Sequence, residues 1–367
     1  MATMKNLTQA DLITETTKVT TGYFTGGVGQ IDTPNICTGS LADTNEKYYC
    51  NLTQTHQDSA SVATQFSIAY GHVAGSGSNI ETSTKSETQA VYQQWASTLL
   101  NENEVSGGFI FNSSVTGGVS GRENEIYVLV GKRALMKDRI NKKSWTIAMR
   151  GRSHIHHEAS ESMLLHLTDD SDSVEATHTV VGPRHNIVSG TDGTVAVAAS
   201  TRTYGHFYPE QGVLLFAGSQ LSHSIPGGGL SGSITGNLHT TKYESGSFKG
   251  FATQQSATVD EKNQIRFANC LKGTGAYMKF RSEEDQNTTS YFCRVFSREM
   301  NFSNNPTFIS GAFNELKHID MWGSPTVYIT GVGLYDGTGN LVAIGKLSTP
   351  VKKNFGSEAT IKVKLTY

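Results

Sequence analysis

The chain has little that would commit it to a known chemistry. Of its 367 residues only four are cysteines. Cys37 and Cys50 stand 13 residues apart and Cys270 and Cys293 stand 23 apart, neither being a CxxC-type metal spacing. Reduced, partly buried thiols are expected, with a disulfide in an assembled, extracellular product as the alternative. Charged residues make up 17% and the net charge is -2, so there is no global basic field to draw nucleic acid or an anionic membrane. No apolar run approaches the length of a membrane span, and the opening MATMKNLTQADLITETTKVTTGYF has no apolar leader segment. Synthesis and folding in a cytoplasm are therefore expected.

Catalytic signatures are missing as well. No HExxH, no GxSxG elbow and no GxGxxG opening a helix occurs. The glycine-rich stretch 227–236 lacks the Lys-Ser/Thr that a phosphate loop needs, and reads as a linker or long surface loop. His154 and His156 would share one face of a strand, as a metal pair can, with His157 and His166 nearby. No clear third ligand accompanies them, so surface or packed histidines are expected. Asp169, Asp170 and Asp172 lack the DxDxDG…E spacing of a calcium loop and read as a solvated turn. Glu283-Glu284 reads as a polar loop, with no sign of a glycosidase pair. The basic run 132–143, KRALMKDRINKK, has no interleaved aromatics, which favours a solvated face or a protein contact over RNA or DNA. A carbohydrate-binding or depolymerising role would need an aromatic groove drawn from Trp95, Trp145 or Trp322. No catalytic residue, cofactor or metal is expected.

What is present in quantity is turn chemistry joined to short alternating runs. Glycine numbers 38, proline 7, and aromatic residues are 9% of the chain, which suits strands linked by turns and argues against disorder. The expected fold class is mainly β: two or three antiparallel domains with one amphipathic helix. The helix is ETQAVYQQWASTLL, 87–100, with Val91, Trp95, Thr98 and Leu99 on its apolar face and Ser86 as cap. EIYVLVGK, 125–132, reads as a buried strand, and YGHFYPEQGVLLFA, 204–217, as a hairpin around a Pro-Glu-Gln-Gly turn. AYMKFRS, 276–282, and TTSYFCRVF, 288–296, read as a pair of strands, while 264–271 fits a short helix or a strand. The divisions expected are a polar arm or small subdomain (1–84), a central β domain (85–225) and a C-terminal β domain (226–367).

The strongest local pattern is the last, 326–367. Two apolar runs flank Asp336-Gly337-Thr338-Gly339-Asn340, a hairpin signal, since Asp and Asn bond their own backbone and Gly supplies positive φ. Pro350 breaks the pattern, Lys352-Lys353 mark a solvated bend, and 359–367 alternates again. Together these predict a three-stranded antiparallel unit that anchors the chain. Tyr328, Leu334, Tyr335, Lys352, Lys353 and Tyr367 are its candidate interface residues.

Glu299-Met300-Asn301-Phe302-Ser303-Asn304-Asn305-Pro306-Thr307-Phe308, and then 328–365, resemble the extreme C-terminus of a family of virion structural proteins from contractile-tailed, T-even-like phages. The segments 90–100, 125–143 and 204–215 resemble the same family more weakly. The hairpin is also similar to tail-fibre and baseplate attachment modules. The resemblance implies a non-enzymatic building block of the virion, assembled in the host cytoplasm. It favours the tail baseplate, with neck, head or fibre attachment as alternatives. Its partners would be other tail or baseplate proteins and further copies of itself.

Overall fold

The computed structural model of the chain describes residues 4–37, 49–55, 59–75, 78, 87–112, 119–152, 162–196, 202–221, 263–272, 275–311 and 313–367. It is mainly β. The chain divides into two compact units, Val19–Glu284 and Met1–Lys18 with Asp285–Tyr367. The expected divisions at 84 and 225 do not delimit units. Tyr23, Phe24, Ile31, Cys50, Leu52, Phe66 and Ile68 all belong to one buried cluster with Phe216 and Phe280, so the first 84 residues are no separate polar arm.

In chain order the strands are β1 (Leu12–Gly22), β2 (Gln30–Asp32), β3 (Asn35–Cys37), β4 (Tyr49–Thr53), β5 (Thr64–His72), β6 (Ile110–Asn112), β7 (Val119–Arg122), β8 (Glu125–Gly131), β9 (Arg139–Ile140), β10 (Thr146–Arg152), β11 (Ser162–Asp169) and β12 (Thr177–Thr179). They continue as β13 (Gly182–Thr191), β14 (Thr194–Val195), β15 (Gly205–Tyr208), β16 (Val213–Ala217), β17 (Tyr277–Lys279), β18 (Arg281–Val295), β19 (Ile309–Ser310), β20 (Glu315–Leu316), β21 (Val327–Tyr335), β22 (Leu341–Lys353) and β23 (Ala359–Thr366). The helices are α1 (Glu87–Leu99), α2 (Glu102–Val105), α3 (Arg133–Met136) and α4 (Asn263–Lys272).

The larger unit is built on a thirteen-stranded sheet whose main path runs β2-β17-β10-β11-β13-β15-β16-β8-β5-β4-β3. Its two end strands, β2 and β3, are separated in sequence only by Thr33 and Pro34. Three peptide steps reach at most about 11 Å, so the sheet must curl until its ends nearly meet. Alternation then divides each central strand between two cores. Tyr127, Leu129, Leu214 and Phe216 enter one cluster, with Phe267 and Leu271 of α4. Ile126, Val128, Val213, Leu215 and Ala217 enter the other, with Tyr92, Ala96 and Leu99 of α1. Burial on both faces is why β8 and β16 read as near-continuous apolar runs. Each such side chain contributes roughly 1.5–3 kcal/mol when fully buried.

Helix α1 forms where expected, but its buried face is Thr88, Tyr92, Ala96 and Leu99, which keeps Leu99 of the predicted face and otherwise moves one position from Val91 and Trp95. Thr98 is exposed and turns its hydroxyl back onto the Gln94 carbonyl at 2.7 Å. The phase is set by Tyr92. Its hydroxyl donates to the Glu123 carbonyl at 2.7 Å and accepts from the Phe109 amide at 3.3 Å. Gly71 in β5 permits this approach, since a Cβ there would lie 2.9 Å from the Tyr92 nitrogen. Ser86 lies outside the described residues. The stretch 264–271 is helical as α4. The 204–217 hairpin forms as β15 and β16, pairing Gly205 with Phe216 and Tyr208 with Val213.

The smaller unit contains β23, most of its sheet partners β1 and β18, the hairpin β21-β22 and the short pair β19-β20. Its connections differ from those expected. The segments 276–282 and 288–296 do not pair with each other: β17 pairs with β10 and β2, whereas β18 is one long strand. The terminal strand β23 does not extend the hairpin. It pairs with β18 over eight positions, Thr288↔Thr366 to Val295↔Ala359. The chain end is thus tied into a sheet as expected, but the three-stranded unit is not formed.

Candidate assembly surface

The hairpin turn is organised by one carboxylate. Asp336 Oδ1 accepts from the amides of Thr338 (2.9 Å) and Asn340 (2.7 Å) and from the Thr338 hydroxyl (2.7 Å). The Asp336 amide donates to the Asn340 carbonyl at 3.0 Å, and Gly339 takes φ +88 to close the loop. The Thr338 hydroxyl, followed by the backbone donors, pulls the Asp336 carboxyl down to about 2.

The two strands bury Val327, Ile329 and Leu334 but carry other apolar side chains outward. Tyr328 is 60% exposed, Tyr335 51%, Leu341 50%, Val342 62% and Ile344 71%. Register pairs Gly333 with Ile344 and Tyr335 with Leu341, so these share one face. Elsewhere in the smaller unit Phe313, Ile319, Trp322, Phe355 and Tyr367 are also more than half exposed. Both buried clusters lie wholly within Val19–Glu284, and the smaller unit has none among the described residues.

Of the six interface candidates, Tyr328, Tyr335, Lys352 and Tyr367 are exposed. Leu334 and Lys353 are not. Lys353 does not sit on a solvated bend: it ends β22, fully buried, and its three N–H groups donate to Ser297 O (3.0 Å), Asn301 Oδ1 (2.8 Å) and Asn354 O (2.8 Å). Asn301 in turn donates to Ser297 O at 2.7 Å. The stretches 299–308 and 328–365 therefore meet at this lysine. Pro350 lies inside β22, in a bulge where 347–350 stand opposite Thr330 alone, a place that needs no backbone donor.

The other sequence candidates resolve into structural roles. Asp169 and Asp170 do not form a solvated turn, because both are buried. Asp169 accepts from the Lys143 amide at 3.0 Å and from the Ser171 hydroxyl, and Asp170 accepts from the Asn186 amide at 3.0 Å and side chain at 2.8 Å. Burial raises both carboxyls above their ordinary value despite these donors. Asp172 is exposed and pairs with Lys143 at 2.7 Å.

The basic run and the carboxylate pair answer each other. Arg139 Nε bonds Glu283 at 2.6 Å and Lys137 bonds Glu284 at 2.5 Å where β9 pairs with β18. Glu283-Glu284 is thus strand, not loop. Within the run, Met136 and Ile140 are fully buried, so it is not a simple solvated face.

His166 lies on β11 with its ring 5.9 Å from that of Tyr277. His154, His156 and His157 lie outside the described residues, as does the stretch 227–236. Among the described residues no group of three or more His, Cys, Asp or Glu is placed to hold a metal. Two histidines that sequence reasoning passed over, His185 and His206, are buried in neighbouring strands. Burial, with Lys142 and Lys143 nearby, pushes His185 down to about 4, and complete burial drives His206 well below its usual value. Cys50 and Cys270 are buried, and burial pushes the Cys270 thiol up. Trp145 is fully buried and stacks on Phe280, so it lines no groove, while Trp322 is 68% exposed.

Comparison with known proteins finds no matching family model, no matching curated protein and no matching solved structure.

Proposed function

We propose that the chain is a non-enzymatic structural subunit of a phage virion, a tail-baseplate component that works by protein–protein assembly. The observation that carries this reading is the smaller unit. It leaves Phe313, Ile319, Trp322, Ile344 and Tyr367 more than half exposed and contributes to neither buried cluster. Apolar side chains exposed singly are ordinary, but Tyr335, Leu341 and Ile344 share one face of the hairpin, and an adjoining apolar face of this kind marks a contact site. The C-terminal resemblance supplies the kind of assembly, and the Lys353–Asn301 contact gives its two halves one structural purpose. In this reading the partners are other tail or baseplate proteins and further copies of the chain, not nucleic acid or membrane. No cofactor takes part, and the place of action is the virion.

The test is direct. Mass spectrometry of purified particles should find the chain as a repeated subunit, and a cryo-EM map should place Phe313, Trp322 and Ile344 against neighbouring protein. Absence of the chain from particles overturns the virion reading. A map that leaves those side chains facing solvent overturns the assembly surface.

A further inference from the structure

A lysine buried without a charged partner is an unusual fastener. Lys353 is 0% exposed, and the three groups that accept from its Nζ, Ser297 O, Asn301 Oδ1 and Asn354 O, are all neutral. Its register partner on β21, Val327, is buried as well. Carbonyl oxygens satisfy the N–H donors of an ammonium but do not cancel its charge. A charge taken out of water is costly unless an opposite charge goes with it.

Asn301 is held in place to meet it. The residue is buried, and its Nδ2 donates to Ser297 O at 2.7 Å, which turns Oδ1 toward Lys353 Nζ at 2.8 Å. Ser297 O thus accepts from the amine nitrogen and the carboxamide nitrogen together. Met300, directly before Asn301, takes φ +52, a left-handed conformation uncommon for a side chain of its size. The carboxamide carbon Cγ lies one bond beyond the oxygen that Nζ already touches. Fixed geometry of this kind replaces a slow bimolecular encounter with an intramolecular one, and a desolvated lysine amine is a competent nucleophile. An ionised carboxylate able to relay protons stands within electrostatic reach: Glu299, held below its ordinary value by the Phe296 amide, then by Lys5 and Lys353.

We propose that Lys353 Nζ and Asn301 Cγ join in an intramolecular amide bond once the chain has folded. Nζ attacks Cγ, the Cγ–Nδ2 bond breaks and ammonia departs. Two protons leave Nζ and two arrive on the departing nitrogen, so the ammonium of Lys353 reappears as a free ammonium ion in water. Nothing is oxidised or reduced, and no co-reactant is consumed. The buried positive charge is exported to solvent, which favours the product. The bond ties β22 to the 297–301 segment across 52 positions of chain. It lies in the unit that has no buried cluster among the described residues, where a covalent tie does what a core does elsewhere. The proposal holds whether or not the chain is a virion subunit.

The experiment is intact-mass spectrometry of the full-length protein, as purified and after prolonged incubation in the folded state, followed by proteolysis and sequencing of the peptides. Wild type should weigh one ammonia less than its sequence, and a branched peptide should join Asn301 to Lys353. Lys353→Met and Asn301→Ala should each keep the full sequence mass. Misfolding by either variant leaves the decision to the wild-type protein, whose mass and linked peptide need no variant. A wild type that keeps its full mass after incubation overturns the proposal. So does ammonia loss without a linked peptide, which assigns the loss to another amide side chain, and so does ammonia loss that persists in both variants. Failure of the virion reading shows separately, as absence from particles.

Discussion

At the scale of single residues, the polar groups that looked most like chemistry prove to be fasteners. Asp336 holds the hairpin turn through backbone and side-chain donors. Its folded value near 2 lies below that of an unfolded aspartate, so its contribution is present above ~4 and is lost as pH falls through about 2. An NMR titration should place the Asp336 carboxyl near 2, and Asp336→Ala should abolish exchange protection of the Thr338 and Asn340 amides. Retained protection would show that the turn holds without the carboxylate. His185 and His206 act in the opposite environment. Both stay neutral in the fold while an unfolded histidine protonates near ~6.5, so they remove stability as pH falls from ~6.5 toward about 4. Asp169 and Asp170, raised by burial, work against this slope as pH falls toward the carboxylate range, because the folded state then takes up protons that the unfolded state holds less tightly. A comparison isolates the histidines: the double variant His185→Gln, His206→Gln should lose less stability between pH 7 and 5 than wild type, read as the urea midpoint. Equal slopes would refute the assignment.

At the scale of elements, the phase of α1 and the partner of β23 show how far pattern reaches. Apolar spacing located the helix, but Val91, Tyr92 and Trp95 offer two competing faces. The choice falls to Gly71, which lets the helix backbone close on β5 and seats Tyr92. β23 alternates cleanly and was bound to join a sheet, yet alternation carries no address. Its eight-position register with β18 leaves the hairpin as two strands. Deleting 359–367 should therefore uncover the Thr288–Val295 edge of β18 and leave the protein insoluble or unable to assemble. A truncated chain that stays soluble with protected β18 amides would refute this. Within the larger unit, Phe267 of α4 stacks on Tyr127 at 5.2 Å and meets Phe216 at 5.2 Å. Phe267→Ala should cost about 3–5 kcal/mol by chemical denaturation, far more than a change on the exposed hairpin.

At the scale of the whole molecule, the two units differ in how they are held. Val19–Glu284 has two buried clusters around one curled sheet, whereas the smaller unit relies on ladders, turns and the Lys353 contact. Opening free energies follow buried apolar contact, so hydrogen exchange should be faster throughout 327–353 and 359–366 than in 125–131 and 213–217 for the free protein. The difference should narrow in assembled particles. Equal exchange in the free protein would mean that the smaller unit has a stability its burial does not explain.

The amino-acid sequence by itself determined the mainly β class, the buried strand at 125–131, the 204–217 hairpin, the turn at Asp336 and the existence of α1. Each of these depends on local periodicity or on a residue's own backbone preferences, which need no distant partner. Tertiary structure alone decided which strands pair, where the chain divides, that Lys353, Asp169 and Glu283 are buried, and that the first 84 residues help build the larger core. Those outcomes depend on contacts between positions far apart in sequence. Thr288 finds Thr366, and Tyr23 meets Phe280, only once the chain has closed on itself. The exposed side of the hairpin was legible as a strand pattern, but its lack of cover became visible only when the remaining strands had found other partners.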